Sequence, residues 1–254
     1  MKNQYFADVG DYGKYGLLRF LSQRGICIAV NWYLTEDDAP GSTDGNIIDY
    51  LQRDDKKKDF RVCDPQLYDV LREMRTAKPP IKDVVQFEKK DMIPGAIYYH
   101  NKLDMRRRSS AAEKRLHRAE WHRAAFDACR EAELVFLDPD NGLLAYDGSQ
   151  AKQLRQADKY AYTKEVEDYY NNNQDVVYYC HRGRRTDSQW EEYKQMMKKE
   201  CPEAVLSGIT FHRGTQRSFI FVCHPEQAQR YITVLQDFLV SPWGQHKHFT
   251  QESL

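Results

Sequence analysis

The sequence predicts an α/β fold: a mostly parallel sheet with helices on its faces and an antiparallel strand toward the C-terminal end. Three observations carry this expectation. Short apolar runs alternate along the chain with longer segments whose apolar residues recur at helical spacing, the order that builds parallel sheets. Leu134–Leu137 is a continuous apolar run closed by Asp138-Pro139-Asp140-Asn141-Gly142, which reads as a strand buried on both faces and ending in a turn. Ile209–His212 and Phe219–Cys223 are joined only by Arg213-Gly214-Thr215-Gln216-Arg217-Ser218, a connection short enough for a hairpin.

In chain order, Tyr12–Gln23 is expected as the first helix, because Tyr15, Leu18 and Leu21 repeat at helical spacing and Gly25 stops the run. Strand Ile26–Leu34 follows and empties into Thr35–Gly45, rich in turn formers and acids, with a helix expected at Ile47–Leu51. Lys56-Lys57-Lys58 reads as a surface loop, and Pro65–Met74 as a helix carrying Leu67, Val70 and Leu71. After the Pro79-Pro80 loop, Val84–Phe87 and Ala96–Tyr99 are expected as short strands. Met105–Glu133 is the longest helical segment, with Ser109 or Ser110 as its cap and Ala112, Leu116, Ala119 and Phe126 as its apolar stripe. Its other side carries Arg107, Arg108, Lys114, Arg115, Arg118 and Arg123. That side reads either as a solvated surface or as a face for the phosphate backbone of a nucleic acid. A helix at Tyr162–Tyr170, a strand at Val176–Cys180 and a helix at Ser188–Lys199 lead to the closing hairpin. No Ser/Gly-rich linker divides the chain, so residues 1–254 are expected to form a single domain.

The composition narrows the function classes. A hydrophobic share of 41% beside 30% charged residues supports a core and argues against disorder. The net charge is zero, so the chain as a whole has no field that draws it onto nucleic acid or an anionic membrane, and such binding must come from local patches. The six cysteines are scattered without metal-ligand or redox spacing and read as reduced core residues. With no signal-like N-terminus and no long apolar run, the expected location is the cytoplasm, with no membrane partner.

The chemistry concentrates at strand outlets, where open α/β sheets bind ligands. At the end of Leu134–Leu137, Asp138 and Asp140 present hard oxygen ligands that suit Mg²⁺ in phosphoryl or phosphodiester chemistry. Alternatively, Asp138, Pro139, Asp140 and Asn141 grip the exocyclic amine of a base; an ordinary Asp-Pro turn is the plain reading. The Thr35–Gly45 outlet adds Glu36, Asp37, Asp38 and Asp44, and so many carboxylates across a crevice call for a metal or an organic cation. His181 and Arg182, with Arg184 and Arg185, add acid/base and phosphate-binding groups at the next outlet. Walker, His-Glu-x-x-His and Gly-x-Ser-x-Gly motifs are absent.

Asn3-Gln4-Tyr5-Phe6-Ala7-Asp8-Val9-Gly10-Asp11-Tyr12-Gly13-Lys14-Tyr15-Gly16-Leu17-Leu18-Arg19, together with Phe136–Gly142, resembles a bacterial family of hypothetical proteins. More remotely, the order of parts resembles the adenine-N6 methyltransferases of large-subunit ribosomal RNA. Their Phe-Ala-Asp-Val-Leu-Lys-His run is comparable with Phe6–Val9 and Lys14-Tyr15, and their Asp-Pro-Pro-Tyr with Asp138–Asn141. This resemblance implies a Rossmann-like, class I methyltransferase-type sheet closed by the Ile209–Cys223 hairpin. It further implies S-adenosylmethionine held by Lys14, Thr35, Asp38, Asp44 and Gly45, and a nucleic acid or nucleotide amine held by Asp138 and Asn141. The chain departs from the pattern in lacking a Gly-x-Gly turn and in carrying Asn141 where the family has an aromatic residue. A Mg²⁺-dependent nuclease or phosphoesterase using Asp138 and Asp140 with His181, and a non-catalytic binding module on the same fold, stand as the alternatives.

Overall fold

In the computed structural model, which describes residues 1–39, 45, 47–52, 60–105, 110–145 and 157–254, seven strands form one sheet. These are β1 (Ile28–Asn31), β2 (Ile97–Tyr99), β3 (Leu134–Leu137), β6 (Asp175–Cys180), β7 (Val205–Phe211), β8 (Arg217–Cys223) and β9 (Phe249–Gln251). A separate pair, β4 (Leu143–Leu144) and β5 (Ala161–Tyr162), lies beside the outlet of β3. The order across the sheet is β2-β1-β3-β6-β8-β7-β9. β2, β1, β3 and β6 run parallel, β8 runs antiparallel to β6 and β7, and β9 runs antiparallel to β7. The expected mostly parallel α/β sheet with a C-terminal antiparallel strand is therefore present, and it is compatible with a Rossmann-like arrangement.

Alternation along each strand sends successive side chains to opposite faces. Val30, Phe136, Val177 and Phe221 enter one core, packed against helices Val9–Gln23, Pro65–Thr76 and Pro225–Val240. Ala29, Val135, Leu137, Val176 and Tyr178 enter the other, packed against helices Ala111–Ala128, Thr163–Asn171 and Asp187–Lys194. Burying an aromatic such as Phe136 on this scale contributes about 1.5–3 kcal/mol.

Local signals set the helix ends. Asp8 caps the first helix by accepting from the Asp11 amide, so that helix starts at Val9, earlier than the apolar spacing suggests. Ser110 and Glu113 form a reciprocal capping box at the start of Ala111–Ala128. Val84–Glu88 is a helix and not the expected strand, because Asp83 caps it by accepting from the Val85 amide. The predicted Ser188–Lys199 helix is two pieces, Asp187–Lys194 and Met197–Glu200.

The expected apolar stripe of the long helix is also corrected. Ala112, Leu116 and Ala119 are exposed, and the face turned to the core carries Arg118, Trp121 and Ala125. Arg118 donates from Nε and Nη2 to the two Glu165 oxygens at 2.6 and 2.7 Å and lies 4.4 Å over the Tyr162 ring. It is thus a buried partner of the neighbouring helix and not part of a phosphate-binding face. Arg115 and Arg123 are exposed, while Arg107, Arg108, Ser109 and the Lys56–Lys58 run lie outside the described residues. Of the cysteines, Cys27 is exposed and Cys63 half-buried, contrary to the all-core expectation; the other four are buried.

Candidate functional site

The strand order reverses between β1 and β3: the chain leaves β1 for β2 on one side and returns to β3 on the other. Such a switch point opens a crevice beyond the carboxyl ends of the strands. Asn31 pairs with Leu137 and Leu137 with Tyr178, so β1 and β3 end level and β6 runs two residues further, to Cys180. The Asp138 amide donates to the Asn31 carbonyl at 3.0 Å, which fixes the Asp138–Asn141 turn at this edge.

Two further elements reach the same edge for topological reasons. Helix Val9–Gln23 leads into β1 through a tight turn at Gly25 (φ 77°), so it runs back along the sheet and its first turn stands at the outlet edge. β8 is antiparallel, and Ser218 pairs with Cys180; Arg217 therefore enters the sheet where β6 leaves it. Gly10 makes room for this arginine, since a Cβ there would lie 2.2 Å from the Arg217 Cζ.

The result is a cleft of about 410 Å³, bordered by Asp8, Asp11 and Lys14 of the first helix, Asp138–Asn141 of the β3 outlet, and Tyr179, His181 and Arg217. Lys14 Nζ donates to Asp138 Oδ2 at 2.6 Å and pairs with Asp11 Oδ1 at 2.8 Å. Asp11 also accepts from the Tyr15 hydroxyl at 3.0 Å. All three charges are buried. Burial pushes the Asp138 and Asp11 carboxyls up against the pull of Lys14, and the two acids hold the Lys14 ammonium in its charged form despite its own burial.

Arg217 Nη2 approaches Asp8 Oδ2 at 3.4 Å, while Nη1 donates to the carbonyls of Arg213 and Thr215. His181 Nε2 lies 3.4 Å from Asn141 Oδ1. Burial, with the charges of Arg185 and Arg217, lowers the His181 imidazole below its ordinary value.

The Thr35 side of the crevice is closed by the N-terminal segment. The Thr35 amide donates to the Met1 carbonyl at 2.9 Å, the Asp38 amide to Gln4 Oε1 at 2.6 Å, and the Gln4 amide to Asp37 Oδ1 at 2.9 Å. Lys2 Nζ donates to both Asp38 oxygens at 2.7 and 2.8 Å and sits 3.9 Å from Asp140 Oδ2; the Met1 amino group lies 3.0 Å from Asp140 Oδ1. Burial resists ionisation of Asp140, but these ammonium groups and Lys159 hold its carboxyl below the usual range. The cation expected from the crowded carboxylates is thus supplied by the chain itself. Asp44 lies outside the described residues; Gly45 borders the cleft with φ 77°.

Of the predicted site residues, Lys14, Gly45, Asp138, Pro139, Asp140, Asn141 and His181 line one cleft, and Thr35 and Asp38 lie across Met1–Lys2 from it. Arg115, Arg118 and Arg123 are not among the residues lining it. Among the described residues no three His, Cys, Asp or Glu side chains form a group suited to a metal ion, and the Asp138 and Asp140 carboxylates are each matched by an ammonium. Sequence reasoning missed Lys2, Tyr5, Asp8, Asp11 and Arg217. For the helix a signal existed: Asp8, Asp11 and Lys14 recur every third residue in a segment whose other positions are apolar or glycine, which places them on one face.

The chain thus belongs to the class of α/β proteins with a polar cleft at the sheet's switch point. No protein-family model matches the sequence, and no curated protein matches it. Among solved structures, protein LPL1258 from Legionella pneumophila str. Philadelphia 1, with family model DUF519, superposes with a TM-score of 0.48 at 8% sequence identity, over 97% of this chain and 96% of that one. No helix among the described residues is long and apolar enough to cross a membrane.

Proposed function

We propose that the protein is a methyltransferase-like enzyme acting on an exocyclic amine of a nucleic acid or nucleotide. The observation that carries this reading is the meeting, in one switch-point cleft, of the Asp138–Asn141 acceptors with His181 and the Arg217 guanidinium. Asp138, held by Lys14, and the Asn141 carbonyl oxygen are acceptors for amine N–H groups. Transfer to an amine nitrogen releases one proton, and a neutral His181 beside Asn141 is placed to take it. Arg217 and Lys159 on the cleft wall suit a phosphate.

When bound, S-adenosylmethionine supplies the methyl group. The donor set at the β1 outlet fits such a cation chemically, because Asp38 and Asp140 already flank one in the Lys2 ammonium. Thr35, Asp38 and Asp140 would hold it once Met1–Lys2 withdraws. The Mg²⁺ reading is less well supported, since among the described residues no three His, Cys, Asp or Glu side chains group as metal ligands.

The test is transfer of a radiolabelled methyl group to single-stranded RNA, single-stranded DNA and free nucleotides by wild type and Asp138→Ala, which removes the acceptor. Incorporation lost in the variant supports the reading. No incorporation by wild type into any acceptor, alongside Mg²⁺-dependent cleavage of the same oligonucleotides, refutes it in favour of a nuclease.

A further inference from the structure

We propose that two His-Arg-Gly turns at the outlet edge of the sheet form a phosphate-binding ridge beside the cleft, so that the partner of this edge is a single-stranded polynucleotide and not a free nucleotide. The proposal deepens the reading above and rests on it only for the base that enters the cleft.

His181-Arg182-Gly183 and His212-Arg213-Gly214 repeat the same three residues, each directly after a strand. The topology brings both to one edge. β6 and β7 are each antiparallel to β8, so they run in the same direction, and Cys180 and Phe211 end them at the side where Arg217 begins β8. Only β8 lies between them, which sets the two turns roughly 10 Å apart, two strand spacings. Each turns at a glycine of positive φ, 60° at Gly183 and 70° at Gly214. His181, Thr215 and Arg217 continue the ridge into the wall of the cleft.

Charge singles this edge out. Residues 181–187 and 212–217 hold five arginines and one aspartate, in a chain of zero net charge. The aspartate, Asp187, is exposed and pairs with Arg182, a surface contact that a phosphate replaces at little cost. Arg217 has Asp8 at 3.4 Å. Among the described residues no carboxylate pairs with Arg184, Arg185 or Arg213. Arg184 is exposed, as are Gly183 and residues 214–216. The turns are also held from within. Arg185 Nη1 donates to the His181 and Arg182 carbonyls at 3.1 Å each, and its guanidinium lies 4.1 Å over the Tyr193 ring. Arg213 Nη2 donates to the His246 carbonyl at 2.9 Å. Carbonyls order these guanidinium groups without neutralising them, so the ridge keeps its positive charge. Such a row of fixed cations suits the phosphates of a nucleic-acid backbone, and a strand laid along it brings an unpaired base to the Asp138 and Asn141 acceptors.

The test is fluorescence anisotropy on the full chain across a range of salt, with mixed-sequence single-stranded RNA and DNA of about twelve nucleotides. Wild type is compared with the double variant Arg184→Glu/Arg213→Glu and, on the long helix, Arg115→Glu/Arg123→Glu, with thermal unfolding as the check on folding. Wild type is expected to bind, and to bind more weakly as salt rises. The turn variant is expected to lose at least about tenfold in affinity and to flatten the log–log salt slope by about 1.4, or about 0.7 for each of two phosphate contacts. The helix variant is expected to match wild type. Arg184→Gln/Arg213→Gln is expected to give the same change of slope with a smaller loss of affinity, and it decides the matter if the charge-reversed variant does not fold. No binding by wild type at low salt, a slope unchanged in the turn variants, or an equal loss in the helix variant overturns the proposal. Methyl transfer to free nucleotides with no oligonucleotide binding overturns it while leaving the methyltransferase reading in place. Salt-dependent binding through the turns without any methyl transfer does the reverse.

Discussion

At the scale of single residues, the site is a set of buried charges that hold one another. Lys14 is shared between Asp11 and Asp138, so the two sides of the cluster differ in what their removal leaves behind. Asp138→Asn leaves Lys14 paired with Asp11, and the expected loss is about 1.5–3 kcal/mol, the range for a hydrogen bond to a charged group. Lys14→Met leaves two buried carboxylates facing each other without a cation, and the expected loss is about 3–5 kcal/mol. Urea unfolding of both variants checks the order, and a more damaging Asp138→Asn would contradict the shared-cation account.

His181 gives a pH signature. Burial and the Arg185 and Arg217 charges hold it below its ordinary 6.5, so the unfolded chain takes up this proton more readily than the folded one. The stability it contributes is present above about pH 6.5 and is lost as pH falls through the lower folded value. Melting temperatures of wild type and His181→Gln between about pH 7.5 and about pH 5.5 are expected to show a smaller acid decline in the variant.

At the scale of elements, the chain's strands were legible where an apolar run met a turn, as at Leu134–Gly142 and Phe219–Cys223. Helix Val84–Glu88 was not, because five residues are too few to show a period and the Asp83 cap decided the outcome. The basic side of the long helix was misread at Arg118, since charge pattern alone does not show that Glu165 of a later helix waits beside it. The switch-point crevice was legible in kind, from acids at two strand outlets, but the closure of one of them was not. Nothing local in Met1–Gln4 announces that it lies along Thr35–Asp38, a contact made across more than thirty residues of chain.

That strap carries its own prediction. Lys2→Met removes the ammonium between Asp38 and Asp140 and is expected to speed hydrogen exchange at the Thr35 and Asp38 amides. An increase of about ten- to a hundredfold follows from the ~1.5–3 kcal/mol of a hydrogen bond to a charged group. Opening the strap also frees the carboxylates for an external cation, so the variant is expected to bind S-adenosylmethionine more tightly than wild type. Faster exchange with weaker binding would make Lys2 part of the ligand site and not its occupant.

At the scale of the whole molecule, the seven-stranded sheet runs from β1 near the start of the chain to β9 at its end and places the first helix, the β3 and β6 outlets and the β8 entry on one edge. The arrangement explains how a chain of zero net charge concentrates acids and bases in a single cleft. The central claim is that this cleft serves an S-adenosylmethionine-dependent transfer. Thermal-shift titration of the full chain with S-adenosylmethionine, S-adenosylhomocysteine, Mg²⁺ and Mn²⁺ in parallel tests it most directly. A ligand at about a hundred times its Kd stabilises the folded state by about 2.7 kcal/mol, which for a chain of this size raises the melting temperature by about 5–10 °C. The expected result is such a rise with the two adenosyl ligands and none with the metal ions; a rise with Mg²⁺ or Mn²⁺ alone would contradict the account.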